Sequence, residues 1–252
     1  MLPFLWILNA VLISRLCFFG SEKPLSRRRA IIKASIELAA VFALFHLHWS
    51  LVLAAIVLLL ANALVAVLDT KTNKAALAPR AVTFVAVVAV LAVCFAPAHE
   101  VRFWAWLVAA IGFLQQHVVA FGEIGPAQWA KALLASAGLV ACLTEVNMVV
   151  RLVVGKLSEK PSDPEEGMVL ISAKQIRRGR IIGMLERVVV YFFVLNGAYA
   201  GIAFVMAAKG FARFRELNDR DFAEYFLIGT LASVVFAGIV AFGVKSALVL
   251  IQ

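Results

Sequence analysis

Charge is what this chain has least of. Only 15% of its 252 residues are Asp, Glu, Lys or Arg, against about one quarter in soluble globular domains. The hydrophobic share is 63%. Length alone allows one or two soluble domains, but a soluble surface needs more charge than this, and hydropathy overrides that reading. Cysteine occurs three times, at Cys17, Cys94 and Cys142, each inside an apolar run and with no C-x-x-C. An odd, scattered set argues against disulfides and thiolate ligands, so these read as small apolar residues. Of the four histidines, His46 and His48 are two apart and would point about 160° away from each other on a helix, which is poor ligand geometry. No H-E-x-x-H, P-loop or G-x-S-x-G occurs, and no nucleophile–base set is visible. No metal and no cofactor is expected, and the reading leans away from an enzyme. Period-2 alternation is also missing, which excludes a membrane β-barrel.

What the chain has is long apolar runs. A spanning helix needs about 20 mostly apolar residues. Candidates fall at 2–19, 31–48, 50–68, 80–97, 103–121, 128–154, 181–208 and 224–250. Backbone groups in hydrocarbon must be bonded within their own segment, so such runs are helices. The expectation is an all-α, polytopic transmembrane helical bundle of about eight spans, with seven as the alternative, in a single membrane domain over 1–252. His48-Trp49-Ser50 allows only a tight hairpin. Pro79 suits a helix start and Pro97 a helix end. Gly122 to Pro126 separates the fifth run from the sixth. Residues 156–180, "KLSEKPSDPEEGMVLISAKQIRRGR", form the one sizeable charged soluble loop, and Ser172 could cap the helix that follows it.

Net charge is +9. The basic residues cluster between the runs, at Arg27 to Arg29, at Lys71, Lys74 and Arg80, at Arg177, Arg178 and Arg180, and at Lys209, Arg213 and Arg215. That is the pattern of membrane-flanking charge. The partner it implies is a bilayer with anionic head groups rather than nucleic acid. The first run has its charges after it, as an uncleaved anchor with its N-terminus outside does. Eight spans then put loops 20–30, 69–80, 122–127 and 209–223 inside, but the basic loop 156–180 outside. Only one miscounted run between 103 and 208 would remove that conflict. Loop 156–180 also offers a surface for a protein partner, and an oligomer is compatible with the sequence.

"GRIIGMLER" at 179–187, "AAKGFARF" at 207–214 and "AEYFLIGTLAS" at 223–233 resemble the signature of an uncharacterised bacterial inner-membrane family, domain of unknown function 3307. The likeness covers about 55 residues. It implies a small multi-pass inner-membrane protein with no assigned activity. It also implies polar N-terminal helices with His and Asp. This chain instead offers Asn9 and Arg15 in the first run, Asp69 at the end of the third, and "LQQH" at 114–117.

Polar residues inside apolar runs are functional hypotheses by default. Glu37 stands four residues after Lys33, an i,i+4 pair. Glu145 lies in the sixth run, where Thr144, Asn147 and Arg151 share a face. Glu186 and Arg187 sit side by side near the start of the seventh run. They project about 100° apart, so at most one points squarely at lipid. Asn196 lies in the middle of that run. With His117, these residues (Glu37, Glu145, Asn147, Arg151, Glu186, Arg187, Asn196) make up a polar membrane core that serves either an ion or the structure. Gly197 and Gly201 form a G-x-x-x-G, and Gly229, Ser233, Ala237 and Ala241 repeat small residues at spacing four. Such stripes let helix backbones approach closely, so the last two runs are expected to pack on each other. Two function classes follow. One is a structural, regulatory or partner-binding membrane component. The other is a small transporter or channel with a polar core around Glu145 and Glu186.

Overall fold

The structure is a computed structural model that describes residues 1–19, 25–72, 77–99, 101–117, 124–157, 173–218 and 220–251. Most of the charged loop, Ser172 included, lies outside the described residues. Those described form nine α-helices: α1 Leu2–Phe19, α2 Arg27–Leu44, α3 Trp49–Thr72, α4 Leu77–Cys94, α5 Ala105–His117, α6 Pro126–Leu157, α7 Ala173–Leu195, α8 Tyr199–Ala212 and α9 Arg220–Leu250. Local chemistry sets several boundaries. The Ser26 hydroxyl accepts from the Arg29 N–H at 3.4 Å and caps α2. Pro126 opens α6, where a missing N–H leaves no hydrogen bond unmade. Four helices are long and apolar enough to cross a bilayer: Trp49–Asp69, Leu77–Cys94, Pro126–Val153 and Phe222–Leu250. Of the fifth run, the described residues form the 13-residue α5, and 118–121 lie outside them.

The chain divides into two compact units, residues 1–140 with 248–252, and residues 141–247. In the first, α1 packs on α2 and α4, α2 on α3, and α3 on α4. One end of this bundle is apolar. Ile7, Val11, Val41, Leu51, Leu58 and Leu91 form its core with Phe45, which lies edge-on to Phe95 at 5.2 Å. Phe45 ends α2 in extended geometry and bridges to Phe103, the one β-bridge among the described residues.

Toward the other end the usual distribution is reversed. Helix α2 buries Ala30, Lys33, Glu37 and Val41 at helical spacing and exposes Ile31 (66%), Ile32 and Ile36. Helix α4 buries Arg80 and Thr83 while Val82 is 69% exposed. In water this arrangement would be unfavourable twice over, desolvating charge and hydrating hydrocarbon.

In the second unit the run 181–208 is not one span. It is two helices, α7 and α8, folded back on each other. The turn follows the Schellman pattern. The N–H of Ala198 donates to the Phe193 carbonyl at 2.8 Å, and that of Gly197 to the Val194 carbonyl at 3.1 Å. Gly197 has φ 72°, open to glycine at little cost. Gly197 and Gly201 are thus not the paired stripe of two packed spans. Gly197 makes the turn, and Gly201 lies against the Phe193 ring, which a Cβ there would meet at 2.6 Å. The small-residue stripe of α9 does face inward: Ser233, Ala237 and Ala241 are buried and Gly229 is partly buried.

Candidate functional site

The reversed half of the first unit holds the densest polar cluster, drawn from four helices. Its centre is the Glu37 carboxylate, 1% exposed. Oε1 accepts from the Ser14 hydroxyl of α1 and from Lys33 Nζ at 2.5 Å; Oε2 accepts from Asn62 Nδ2 of α3 at 2.6 Å. Lys33 also donates to Asn62 Oδ1 at 2.7 Å, which closes a triangle of α2 and α3 side chains. Glu37 lies ten residues into α2, about 15 Å along the axis. That depth explains why both carboxylate oxygens are satisfied internally.

A second buried pair lies nearer the end of the bundle. Arg80 of α4 donates to Asp69 of α3, and the Leu25 N–H donates to the same carboxylate oxygen at 2.8 Å. Asp69 thereby ties α3, α4 and the segment that leads into α2. Arg15 of α1 donates to the Arg80 carbonyl at 3.0 Å and lies over the Phe84 ring at 4.6 Å. Between these groups is a cavity of about 20 Å³, lined among others by Arg15, Lys33, Glu37, Asn62, Thr83 and Phe84. A water needs about 10–15 Å³ of such space, so there is room for one water and for no organic ligand. On the same helix as Ser14, Asn9 donates to the Leu133 carbonyl of α6 at 2.9 Å and accepts from Ser136.

In the second unit, Glu186 and Arg187 diverge as their spacing predicts. Glu186 pairs with Lys209 of α8 at 2.6 Å. Arg187 is buried, and donates to Asn147 Oδ1 of α6 at 3.1 Å and to Ser233 Oγ of α9 at 3.4 Å. Glu145 and Arg151 are half-buried on α6.

Two members of the expected polar core stand elsewhere. Asn196 is exposed at the end of α7, where its Nδ2 donates to the Phe192 carbonyl at 2.8 Å. It serves the helix end because the helix stops there. His117 is exposed at the end of α5 and stacks on Phe113 at 4.1 Å. Among the described residues no three His, Cys, Asp or Glu side chains stand close enough to hold a metal ion. Sequence reasoning found Lys33 and Glu37 but missed Ser14, Asn62 and Thr83, and took Arg80 for a flanking charge. A lone amide inside the long apolar run of α3 was the available signal for Asn62. Arg80 falls after Pro79 but already within the fourth run.

These features define a class: an all-helical chain whose first bundle buries charge and exposes hydrocarbon, with four helices of spanning length and composition. Compared with protein-family models, curated proteins and solved structures, the chain matches none.

Proposed function

We propose that the chain is a multi-pass membrane protein with a structural or partner-binding role. It belongs to a bacterial inner membrane if the resemblance to domain of unknown function 3307 reflects kinship. The reversed polarity of α2 and α4 carries the membrane reading, since isoleucine and valine outside with lysine, glutamate and arginine inside is stable in lipid. The paired charges carry the choice of role. Glu37 with Lys33, Asp69 with Arg80 and Glu186 with Lys209 each have a partner, and the first cluster encloses space for one water. Such groups tie helices together.

Six crossings account best for the charge pattern: α1, α2, α3, α4, α6 and α9. Helix α5 does not cross, and the α7–α8 hairpin dips in and returns to its own side. Counting this way puts 20–30, 69–80, 156–180 and 209–223 all on one side, the cytoplasmic one by the positive-inside rule. The conflict over loop 156–180 then disappears. Irregular backbone at membrane depth must have its polar groups satisfied. At the hairpin tip, Asn196 serves the Phe192 carbonyl, Ala198 the Phe193 carbonyl, and Gly197 with Lys245 the Val194 carbonyl.

A helix broken at Asn196–Gly197 is also a device of transporters, and it favours a second reading, ion movement past Glu145 and Glu186. One experiment separates the two. After alkaline washing of membranes, the protein should stay in the pellet. Reconstituted in vesicles, it should show no proton or cation flux that Glu145→Gln or Glu186→Gln abolishes. Release by alkali refutes the membrane reading, and such a flux replaces the structural role with transport.

A further inference from the structure

The apolar end of the first bundle, opposite its buried charges, carries a groove of about 650 Å³. That lies within the range of about 300–1,000 Å³ usual for ligand sites. Leu2 and Pro3 of α1, Phe103, Val108 of α5, and Ala127 and Ala130 of α6 wall it, all within the first unit. Among the described residues that line it, Arg102 alone has a charged side chain, and that side chain is exposed.

The backbone that carries Arg102 is held in place. Its carbonyl accepts from the His46 N–H at 2.9 Å, and the Trp104 N–H donates to the Leu44 carbonyl at 3.2 Å. These two bonds flank the Phe45–Phe103 bridge, where the rings pack at 5.0 Å. This wall is thus fixed to the end of α2 before any ligand arrives, which lowers the ordering cost of binding. All five tryptophans gather at the same end. Trp6, Trp49, Trp106 and Trp129 lie in the opening turns of α1, α3, α5 and α6, and Trp104 immediately precedes α5. Tryptophan concentrates where bilayer hydrocarbon meets the head groups. On the membrane reading, the groove therefore stands at that boundary, with apolar walls and one guanidinium.

We propose that this groove binds a phospholipid of the surrounding bilayer, with an acyl chain along the apolar walls and the phosphate on Arg102. A chain that moves from bilayer to groove gains little from hydrophobicity, since both surroundings are hydrocarbon. Selectivity then comes from the guanidinium, whose planar fork of N–H donors matches phosphate oxygens. A soluble ligand needs several convergent polar groups to fix it, and the side chains of these walls supply one. The proposal rests on the membrane reading given above. It is independent of the charge pairs that carry the structural role.

The test uses the full chain, purified in a neutral detergent and stripped of native lipid. Melting is followed against dioctanoyl phosphatidylglycerol, dioctanoyl phosphatidylethanolamine and dioctanoylglycerol, which has the same chains and no phosphate. At about a tenfold excess over Kd the phospholipids should raise the Tm by about 3–5 °C, and dioctanoylglycerol should not. Arg102→Gln should weaken phospholipid binding at least about tenfold. Val108→Trp, which fills the groove, should abolish it. Both positions are exposed, so neither variant threatens the fold. A response to one phospholipid only, with the same dependence on Arg102 and Val108, supports the site and names its head group. No shift with either phospholipid, an equal shift with dioctanoylglycerol, or a shift unchanged in either variant overturns the site. Retention in alkali-washed membranes checks the membrane reading separately: a protein that stays in the pellet but fails the titration loses the groove alone.

Discussion

Replacing Glu37 by glutamine tests how the first bundle is held together. The change is nearly isosteric, so packing is kept and only charge and one acceptor are lost. The wild-type carboxylate accepts from Ser14, Lys33 and Asn62. A glutamine amide has one oxygen and one NH₂, so at least one of these donors must face another donor. Lys33, 3% exposed, also loses the anion that balances it. Three hydrogen bonds to a charged acceptor set a ceiling of about 4–9 kcal/mol at 1.5–3 kcal/mol each. Breaking a buried pair costs about 3–5 kcal/mol in practice, and the lower figure is the better guide because the protein relaxes. At about 2–4 °C per kcal/mol for a chain of this size, Glu37→Gln should lower the Tm by about 6–20 °C in detergent. The double variant Lys33→Met with Glu37→Leu removes both charges and should recover most of the loss. A Glu37→Gln protein that melts within about 2 °C of the parent would show that the triangle does not hold the helices, and the structural role would lose its main support.

Three further outcomes are expected. Single cysteines at Arg27, Gly179 and Glu216, in a background lacking the native three, should all react with a membrane-impermeant thiol reagent from one side, and Ala98→Cys from the other; Gly179 labelling with Ala98 would restore a crossing to α5. Gly197→Ala should cost about 1–2 kcal/mol, because φ 72° is left-handed, whereas Gly197→Asn should cost less; equal melting of all three proteins would mean that the turn is not where the structure places it. Gly201→Ala should destabilise the hairpin because its Cβ meets the Phe193 ring, and Phe193→Leu should relieve part of that loss when thermal melts of the single and double variants are compared.

Hydropathy made the helical class and most run positions legible, because a run of leucine, valine and alanine states its environment directly. It did not separate a helix that crosses from two that turn back. The run 181–208 is continuous in hydropathy, and its interruption depends on the φ of one residue, Gly197, to which a window average is blind. Asn196 was misjudged for the same reason: its depth was counted along a helix that ends beneath it. Lys33 and Glu37 were readable because they lie on one helix at i,i+4. Asn62 and Ser14 were not, because what makes them part of a site is contact across α1, α2 and α3, and local spacing carries no record of that. Arg80 belonged in appearance to a flanking basic cluster, and only its pairing with Asp69 shows it to be interior. Glu186 and Arg187 fell between these cases. Their divergence followed from helix geometry, but Lys209, Asn147 and Ser233 did not.

The pairing of Asp69 with Arg80 has a consequence for how the chain is made. The two residues lie on successive helices, α3 and α4, with 10 residues between them in sequence. Alone at the centre of a spanning segment, an arginine or aspartate opposes insertion by about 2.5–3.5 kcal/mol. Near the end of an apolar helix the cost is smaller, yet if α4 crosses a bilayer as proposed above it would present Arg80 to lipid until Asp69 is beside it. Released one at a time from the insertion machinery, each helix would carry an unmatched charge; released as a hairpin, they carry none. The short separation means that the partner is already synthesised when Arg80 emerges. On the proposed membrane reading, biogenesis should therefore proceed by the paired release of α3 and α4, and loss of Asp69 should show first as α4 failing to enter the bilayer during synthesis.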